Sequence, residues 1–391
     1  YHKYQKQKVY CVGDDNYTTV GGATGGKMSP HRLLTSTVTD QLRLTSNLKS
    51  KVISISIKDR GAVLPGGHTA NAAYWFVGGS EGKFVSSTYY MKTAPDWVEN
   101  FNQNGKTNDY LNTSWETLYP LDTYEASMAD DNPYEGLFKG RKSPTFPYDL
   151  KELRKTNKEY DLLKEVPAGN TIITDFALEA LKNESLGKGE YTDFLAISYS
   201  SPDYIGHMFG PRSIELEDTY LRLDKELERL LNNLDTEIGE GNYTIFLTAD
   251  HAVADVPAYL ESLNIPAGYM VYSDFRKFLN EITERHFNSK ELVAYISNEQ
   301  IYLDREKIVE LGLAYDEVVS VLTHEVLLFP MVAKAYSAKT MSNTEFTKGI
   351  PALLQNGFHQ KYSGDILLTL NPSTISRSTR TGTTHGSGYT Y

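Results

Sequence analysis

Short runs of β-branched and aromatic residues alternate along this chain with longer stretches of helical periodicity. Val52-Ile53-Ser54-Ile55-Ser56-Ile57 and Phe194-Leu195-Ala196-Ile197-Ser198-Tyr199 have the pattern of buried strands. Residues 242–248 and 365–370 read the same way, and residues 83–89 as a shorter strand. Leu216, Tyr220, Leu223, Leu227, Leu230, Leu231 and Leu234 make one apolar face over residues 214–234, with Glu, Lys and Arg opposite. Helices are also expected over residues 175–186, 274–285 and 316–328. Apolar residues at 33, 34, 38, 42 and 44 predict a further helix, with Ser29 as its N-cap and Pro30 at its first position. Residues 1–30, with turn signals at Gly13-Asp14-Asp15-Asn16, Gly21-Gly22 and Gly25-Gly26, read as a surface hairpin or loop.

Strands alternating with helices predict an α/β fold: a mostly parallel sheet flanked by helices on both faces, with insertion subdomains. The expected organisation is a core over residues 1–257 interrupted by a Tyr- and Pro-rich insertion at 62–170. A smaller αβ cap over 258–345 follows, then a return to the core over 346–391. In such sheets ligands bind beyond the carboxyl ends of the strands. Three of the four buried runs end in charged or metal-ligating residue types: Lys58-Asp59-Arg60, Asp203, and Asp250-His251.

Composition narrows the function. The 391 residues carry 39 Lys+Arg against 50 Asp+Glu, a net charge of −11, with no Lys/Arg-rich block. That disfavours a grip on nucleic acid or on an anionic membrane surface. No apolar run reaches the roughly 18 residues that a membrane span needs. The single cysteine, Cys11, excludes an internal disulfide and cysteine-based zinc or iron–sulfur sites.

Four pieces carry candidate chemistry. Asp203 and His207, four apart, share one face of a helical turn and can reach one ion; a helix cap with an exposed His fits the same spacing. Asp250-His251 follows an apolar run, where a buried carboxylate needs a cation or a metal; a turn in which Asp250 accepts backbone N–H groups is the alternative. His385 stands among Thr381, Gly382, Thr383, Thr384, Gly386 and Ser387, residues too small to pack a core around it. Lys58 and Arg60 at a strand end are either an exposed charge cluster or a pair that binds phosphoryl or sulfuryl oxygens, Arg as a fork and Lys as a point charge. His2, His31, His286 and His324 have no acidic motif beside them, while His68 and His359 stand near glycines that could set them behind the ligands. Together the oxygen and nitrogen donors suit about two zinc ions, with manganese a substitute.

In this order the pieces resemble the alkaline phosphatase superfamily, and within it the PafA-type branch akin to nucleotide pyrophosphatase/phosphodiesterases. The residues that carry the resemblance include Met28-Ser29-Pro30, Ile57-Lys58-Asp59-Arg60-Gly61-Ala62 and Ala73-Tyr74-Trp75-Phe76. It continues through Ser201-Pro202-Asp203 with Gly206-His207, Thr248-Ala249-Asp250-His251, and Thr381–Ser387. The resemblance implies hydrolysis of small phosphate monoesters through two zinc ions and a covalent phospho-Thr or phospho-Ser intermediate. Asp203, His207 and His385 would complete one zinc site in this chain, Asp250 and His251 half of the other, and Lys58 and Arg60 would bind phosphoryl oxygens. The family's first Asp ligand, its nucleophile and an Asn would lie upstream of Tyr1, which makes the chain an interior fragment expected to be inactive by itself. Thr24 lies in a loop the family uses structurally and is not expected to replace the nucleophile. Ala252 stands where the family has Gly. The family implies a periplasmic or secreted enzyme, although no signal peptide is visible, and nothing in the sequence points to an oligomeric state. The rival readings are a phosphodiesterase or nucleotide pyrophosphatase on the same fold, and a non-catalytic metal- or phosphate-binding remnant.

Overall fold

The computed structural model describes residues 1–3 and 5–387. Tyr389-Thr390-Tyr391, where the family resemblance expects a further strand and helix, lies outside them. The chain forms two compact units, one of Tyr10–Ala249 and one of Tyr1–Val9 with Asp250–Tyr391.

The first unit is built on a five-stranded sheet in the order Thr19–Val20, Lys83–Ser87, Ala72–Val77, Val52–Ser56, Phe194–Ser198. Val52–Ser56 is parallel to both of its neighbours, while Ala72–Val77, Lys83–Ser87 and Thr19–Val20 pair antiparallel, so the sheet is mixed. The alternation within Val52–Ser56 explains the layering. Ile53, Ile55 and Ile57 belong to an apolar cluster shared with Ile172, Ile173 and Phe176 of the helix Ala168–Asn183. Phe176 in turn stacks on Phe84, ring centroids 4.0 Å apart. Ser54 and Ser56 face the other way, toward Gly66 and Gly61 of the helix Asp59–Gly66. A Cβ on Gly61 would meet Ser56 Oγ at 2.5 Å, so small residues on both elements permit the close approach. Helices thus cover both faces, as the sequence predicts.

Several expectations change here. The helix expected after Pro30 begins at Val38 and runs to Thr45. Thr37 and Asp40 form a reciprocal capping box there, while the Ser29 hydroxyl donates instead to Asp14 Oδ2 at 2.6 Å. Within residues 1–30, Thr19–Val20 joins the sheet edge. The run 242–248 is not a strand: among the described residues it has no ladder partner, and Phe246 and Leu247 are 69% and 76% exposed. An apolar run becomes a strand only where a neighbour takes its N–H and C=O groups, and Phe194–Ser198, half-exposed throughout, is the last paired strand on that side. The helix Ile214–Glu237 forms as expected, but its first turns bury Glu215, Asp218 and Thr219 and leave Tyr220 exposed.

The second unit holds a four-stranded antiparallel sheet in the order Val332–Ser337, Ile366–Leu370, Gln300–Leu303, Val293–Ser297. The expected strand at 365–370 is therefore buried, in a separate antiparallel sheet. The helices Tyr272–Phe287 and Tyr315–Glu325 pack Phe275, Leu279, Val318 and Leu322 into the same core as that sheet. Asp365, fully buried, accepts the Leu303 N–H, the Tyr315 hydroxyl and the Arg305 guanidinium, with the Lys3 ammonium 3.6 Å away.

Candidate functional site

Lys58 leaves the sheet at the carboxyl end of the central strand and is the N-cap of the helix Asp59–Gly66. Its N–H donates to Ser56 Oγ at 3.0 Å, so the serine that admits Gly61 also fixes the turn. The Lys58 ammonium sits over the Tyr204 ring, 4.7 Å from its centroid, and donates to Asp203 Oδ2. Asp203 and His207 lie on the helix Ser201–Phe209, which Pro202 starts in its first turn. Asp203 Oδ1 is 3.2 Å from His207 Nε2, so the spacing of four does bring carboxylate and imidazole together. Burial pushes the Asp203 carboxyl up, but hydrogen bonds from His207 and Lys58 and the nearby Lys58 charge outweigh it. The carboxyl is held well below the usual range.

Beside this pair opens a cleft of about 510 Å³, lined among others by Lys58, Arg60, Tyr10, Asp161, Lys164 and Tyr204. Arg60 Nη1 is 3.4 Å from the Tyr10 hydroxyl, which itself donates to Asp59 Oδ1. Asp161 and Lys164 pair at 2.7 Å. The two cations read from sequence thus reach one cleft. The sequence reading missed Tyr10, Asp161 and Lys164, which come from distant segments, although the adjacency of Tyr204 to Asp203 was a usable signal. Thr24 also lines the cleft, with its hydroxyl engaged to Glu81 Oε1.

In the second unit Asp250 is not delivered by a buried strand. Its side chain is 89% exposed, with Oδ2 3.4 Å from His251 Nε2. The premise that burial would demand a metal there does not hold, though the donors remain. His251 and His385 stack with ring centroids 3.7 Å apart. The loop that carries His385 is pinned by Arg377, which donates to Thr381 O at 2.9 Å and Thr383 O at 2.8 Å. Thr383 Oγ1 bonds Ala254 O, and the Ala254 N–H donates to Thr384 O, tying the loop to the segment just after His251. Gly386 adopts φ +86°, a left-handed turn immediately after His385 that glycine accepts without strain. Among the other histidines, His31 lies 3.0 Å from Asp14 and His286 lies 3.4 Å from Glu325, acidic partners invisible in local sequence. His68 bonds Thr35 O at 3.2 Å, and His359 Nδ1 accepts the Lys361 N–H at 3.1 Å. Among the described residues no helix is long and apolar enough to cross a membrane.

Comparison with known proteins places this chain in a family. Residues 5–388 match the family model described as type I phosphodiesterase / nucleotide pyrophosphatase. A protein of Myroides odoratus named a calcium-transporting ATPase is 46% identical over 389 residues, 98% of this chain and 71% of that one. The alkaline phosphatase PhoV of Synechococcus elongatus is 44% identical over 366 residues, covering 93% of this chain and 65% of that one. The crystal structure of the alkaline phosphatase PafA superposes with a TM-score of 0.94 at 36% identity, over 100% of this chain and 75% of that chain. Another solved form of PafA is substituted at a threonine, an asparagine, and a lysine and arginine two positions apart, the spacing of Lys58 and Arg60. The chain belongs to the type I phosphodiesterase / nucleotide pyrophosphatase family and, within the alkaline phosphatase superfamily, to its PafA-type branch.

Proposed function

We propose that this protein is a metal-dependent phosphatase acting on small phosphate monoesters. The observation that carries the reading is the convergence of Lys58, Arg60 and the Asp203–His207 pair on one side of the sheet, with the two cations opening on a cleft. A monoester dianion has one more negative charge than a diester, and a lysine–arginine pair offers it two cations and a bidentate fork. Lys58 and Arg60 hold the non-bridging oxygens, and the cleft receives the alcohol.

Asp203, His207 and His385 form one zinc ligand set in this proposal, and Asp250 and His251 contribute to another. The donors are carboxylate oxygen and imidazole nitrogen without thiolate, which fits zinc, and the 3.2 Å spacing of Asp203 and His207 suits chelation by both. When bound, zinc supplies Lewis-acid polarisation of the phosphoryl and attacking oxygens. The Lys58 ammonium offsets part of the Asp203 charge. The route includes transfer of the phosphoryl group to a Thr or Ser hydroxyl as the alcohol departs, then to water. No residue of this chain is assigned as that nucleophile, and the Thr24 hydroxyl is engaged with Glu81. A periplasmic or secreted setting belongs to the same proposal. The family model's own description favours a second reading, phosphodiester hydrolysis at the same site.

The test compares, in the full-length protein, turnover of an aryl phosphate monoester and an aryl phosphate diester before and after Lys58→Ala and Arg60→Ala. A larger loss on the monoester supports the proposal, and equal losses on both overturn the assigned role of the pair. Zinc content per chain by elemental analysis, expected to fall on His385→Ala, checks the ligand set without relying on activity.

A further inference from the structure

Away from that site, the first unit buries two glutamates that, among the described residues, no cationic side chain pairs with. Glu215, in the first turn of the helix Ile214–Glu237, is 0% exposed, and Glu135, in the loop before the cis Phe146-Pro147 bond, is 4% exposed. Glu215 Oε1 accepts the Tyr148 hydroxyl at 2.5 Å, while Glu215 Oε2 and Glu135 Oε2 have no hydrogen-bond partner. Among the described residues neither carboxylate is in an ion pair. Arg141 is engaged with Thr145 O and with the face of the Tyr148 ring, 5.0 Å from its centroid. Burial pushes both carboxyls up, and each also feels the charge of Asp130, with Glu215 adding to the effect on Glu135. Two ionised carboxylates cannot remain in such a place uncompensated.

We propose that Glu135 and Glu215 hold one divalent, oxygen-preferring cation of the calcium class between their unpartnered oxygens. The donors are all oxygen, with no imidazole or thiolate, the set that hard cations select. The Glu135 loop reads Asp130-Asp131-Asn132-Pro133-Tyr134-Glu135, so further oxygen donors stand on the same turn. Glu215 reaches the site from a different element, so the ion joins loop to helix. Its consequence lies one step away. The Gly136 N–H, next to Glu135, donates to Met208 O at 2.8 Å, and the Met128 N–H donates to Arg212 O at 2.8 Å. The ion therefore fastens the 128–148 loop to the helix Ile214–Glu237, and the Gly136 N–H bond passes that hold on to the helix that carries Asp203 and His207. A proton on one glutamate is the competing solution, since it would neutralise half of the charge without any metal.

The experiment titrates Ca2+ into chelator-treated protein reloaded with zinc, followed by calorimetry. One Ca2+ per chain is expected, with affinity at least tenfold weaker in Glu215→Gln and a higher melting temperature in the wild type when Ca2+ is present. Glu135→Gln gives the same reading if Glu215→Gln does not fold. Absence of Ca2+ binding, with an infrared carbonyl band of a protonated carboxyl at neutral pH that Glu135→Gln or Glu215→Gln removes, overturns the proposal in favour of the shared proton. Ca2+ binding that survives both substitutions also overturns it, because the ion then sits elsewhere.

Discussion

The Lys58 ammonium donates to Oδ2 of Asp203 while Oδ1 of the same carboxylate lies 3.2 Å from His207 Nε2. One carboxylate therefore links the cation assigned to phosphate with the pair assigned to metal. A ligand such as phosphate competes with Asp203 for Lys58, and the cost of that exchange is lowest when the metal takes over the Asp203 charge. Lys58→Met keeps the length of the side chain and removes the charge. Inorganic phosphate should then bind about 10–100-fold more weakly, the equivalent of about 1.5–3 kcal/mol for a hydrogen bond to a charged group. Zinc content should not change. Loss of zinc together with phosphate would show that Lys58 acts by holding Asp203 in place.

Gly61 sits where helix Asp59–Gly66 crosses the strand Val52–Ser56, and an added Cβ would lie 2.5 Å from Ser56 Oγ and 3.1 Å from Ser198 Oγ. Ser56 also accepts the Lys58 N–H, so pushing it aside disturbs the turn that aims the lysine. Gly61→Ala should destabilise the protein by about 1–3 kcal/mol, the usual cost of overpacking. Phosphate affinity should fall with it, and Ser56→Gly in the Gly61→Ala background should restore part of the stability by opening the space. An unchanged urea midpoint for Gly61→Ala would refute the close-approach argument.

What was legible in the sequence was local. The i,i+4 spacing of Asp203 and His207 survives because a single helix sets it, and Lys58 falls at a strand end because Val52–Ser56 alternates as a strand should. What was not legible depended on partners far along the chain. The run 242–248 has strand composition but no neighbour to pair with, and composition does not encode a neighbour. Ser29 looked like a cap, yet Asp14 takes its hydroxyl and the capping box Thr37–Asp40 sets the helix start. That box was present in the sequence and outranks a lone Ser-Pro. Glu215 read as part of a solvated face, because helical periodicity does not show that Tyr148 and the Glu135 loop cover it.

Asp365 illustrates the same point with a measurable cost. The sequence showed only the first residue of an apolar run, while the fold gathers Arg305, Tyr315, the Leu303 N–H and Lys3 around one buried carboxylate. Replacing one member of such a cluster leaves the others with unpaired charge. Asp365→Ala should cost about 3–5 kcal/mol in urea unfolding, the range for breaking a buried ion pair. Asp365→Asn, which keeps the volume and some hydrogen bonds, should cost less. If both variants match wild type, the cluster is not a stabilising hub.

Glu135 and Glu215 should set how the cation-free protein responds to alkali. Both carboxyls are pushed above the ordinary range, Glu135 by burial and then by the charges of Glu215, Asp130 and Asp131, and Glu215 by burial and by Asp130 and Asp218. The Tyr148 hydroxyl, which donates to Glu215, is pushed up too, by burial and by Glu215, so it stays neutral and adds no further negative charge. In the unfolded chain both glutamates ionise near about pH 4.3. Above that pH and below their raised native values, the native state retains protons that the unfolded state has released. Stability therefore falls as pH rises through this window, the reverse of the behaviour of a salt-bridged carboxylate. Chelator-treated protein should melt at progressively lower temperature from about pH 6 to about pH 9. Glu215→Gln cannot ionise and should flatten the slope, and Ca2+ should flatten it in the wild type by taking the place of the proton. The same slope in wild type, Glu135→Gln and Glu215→Gln would mean that this pair does not titrate within the window.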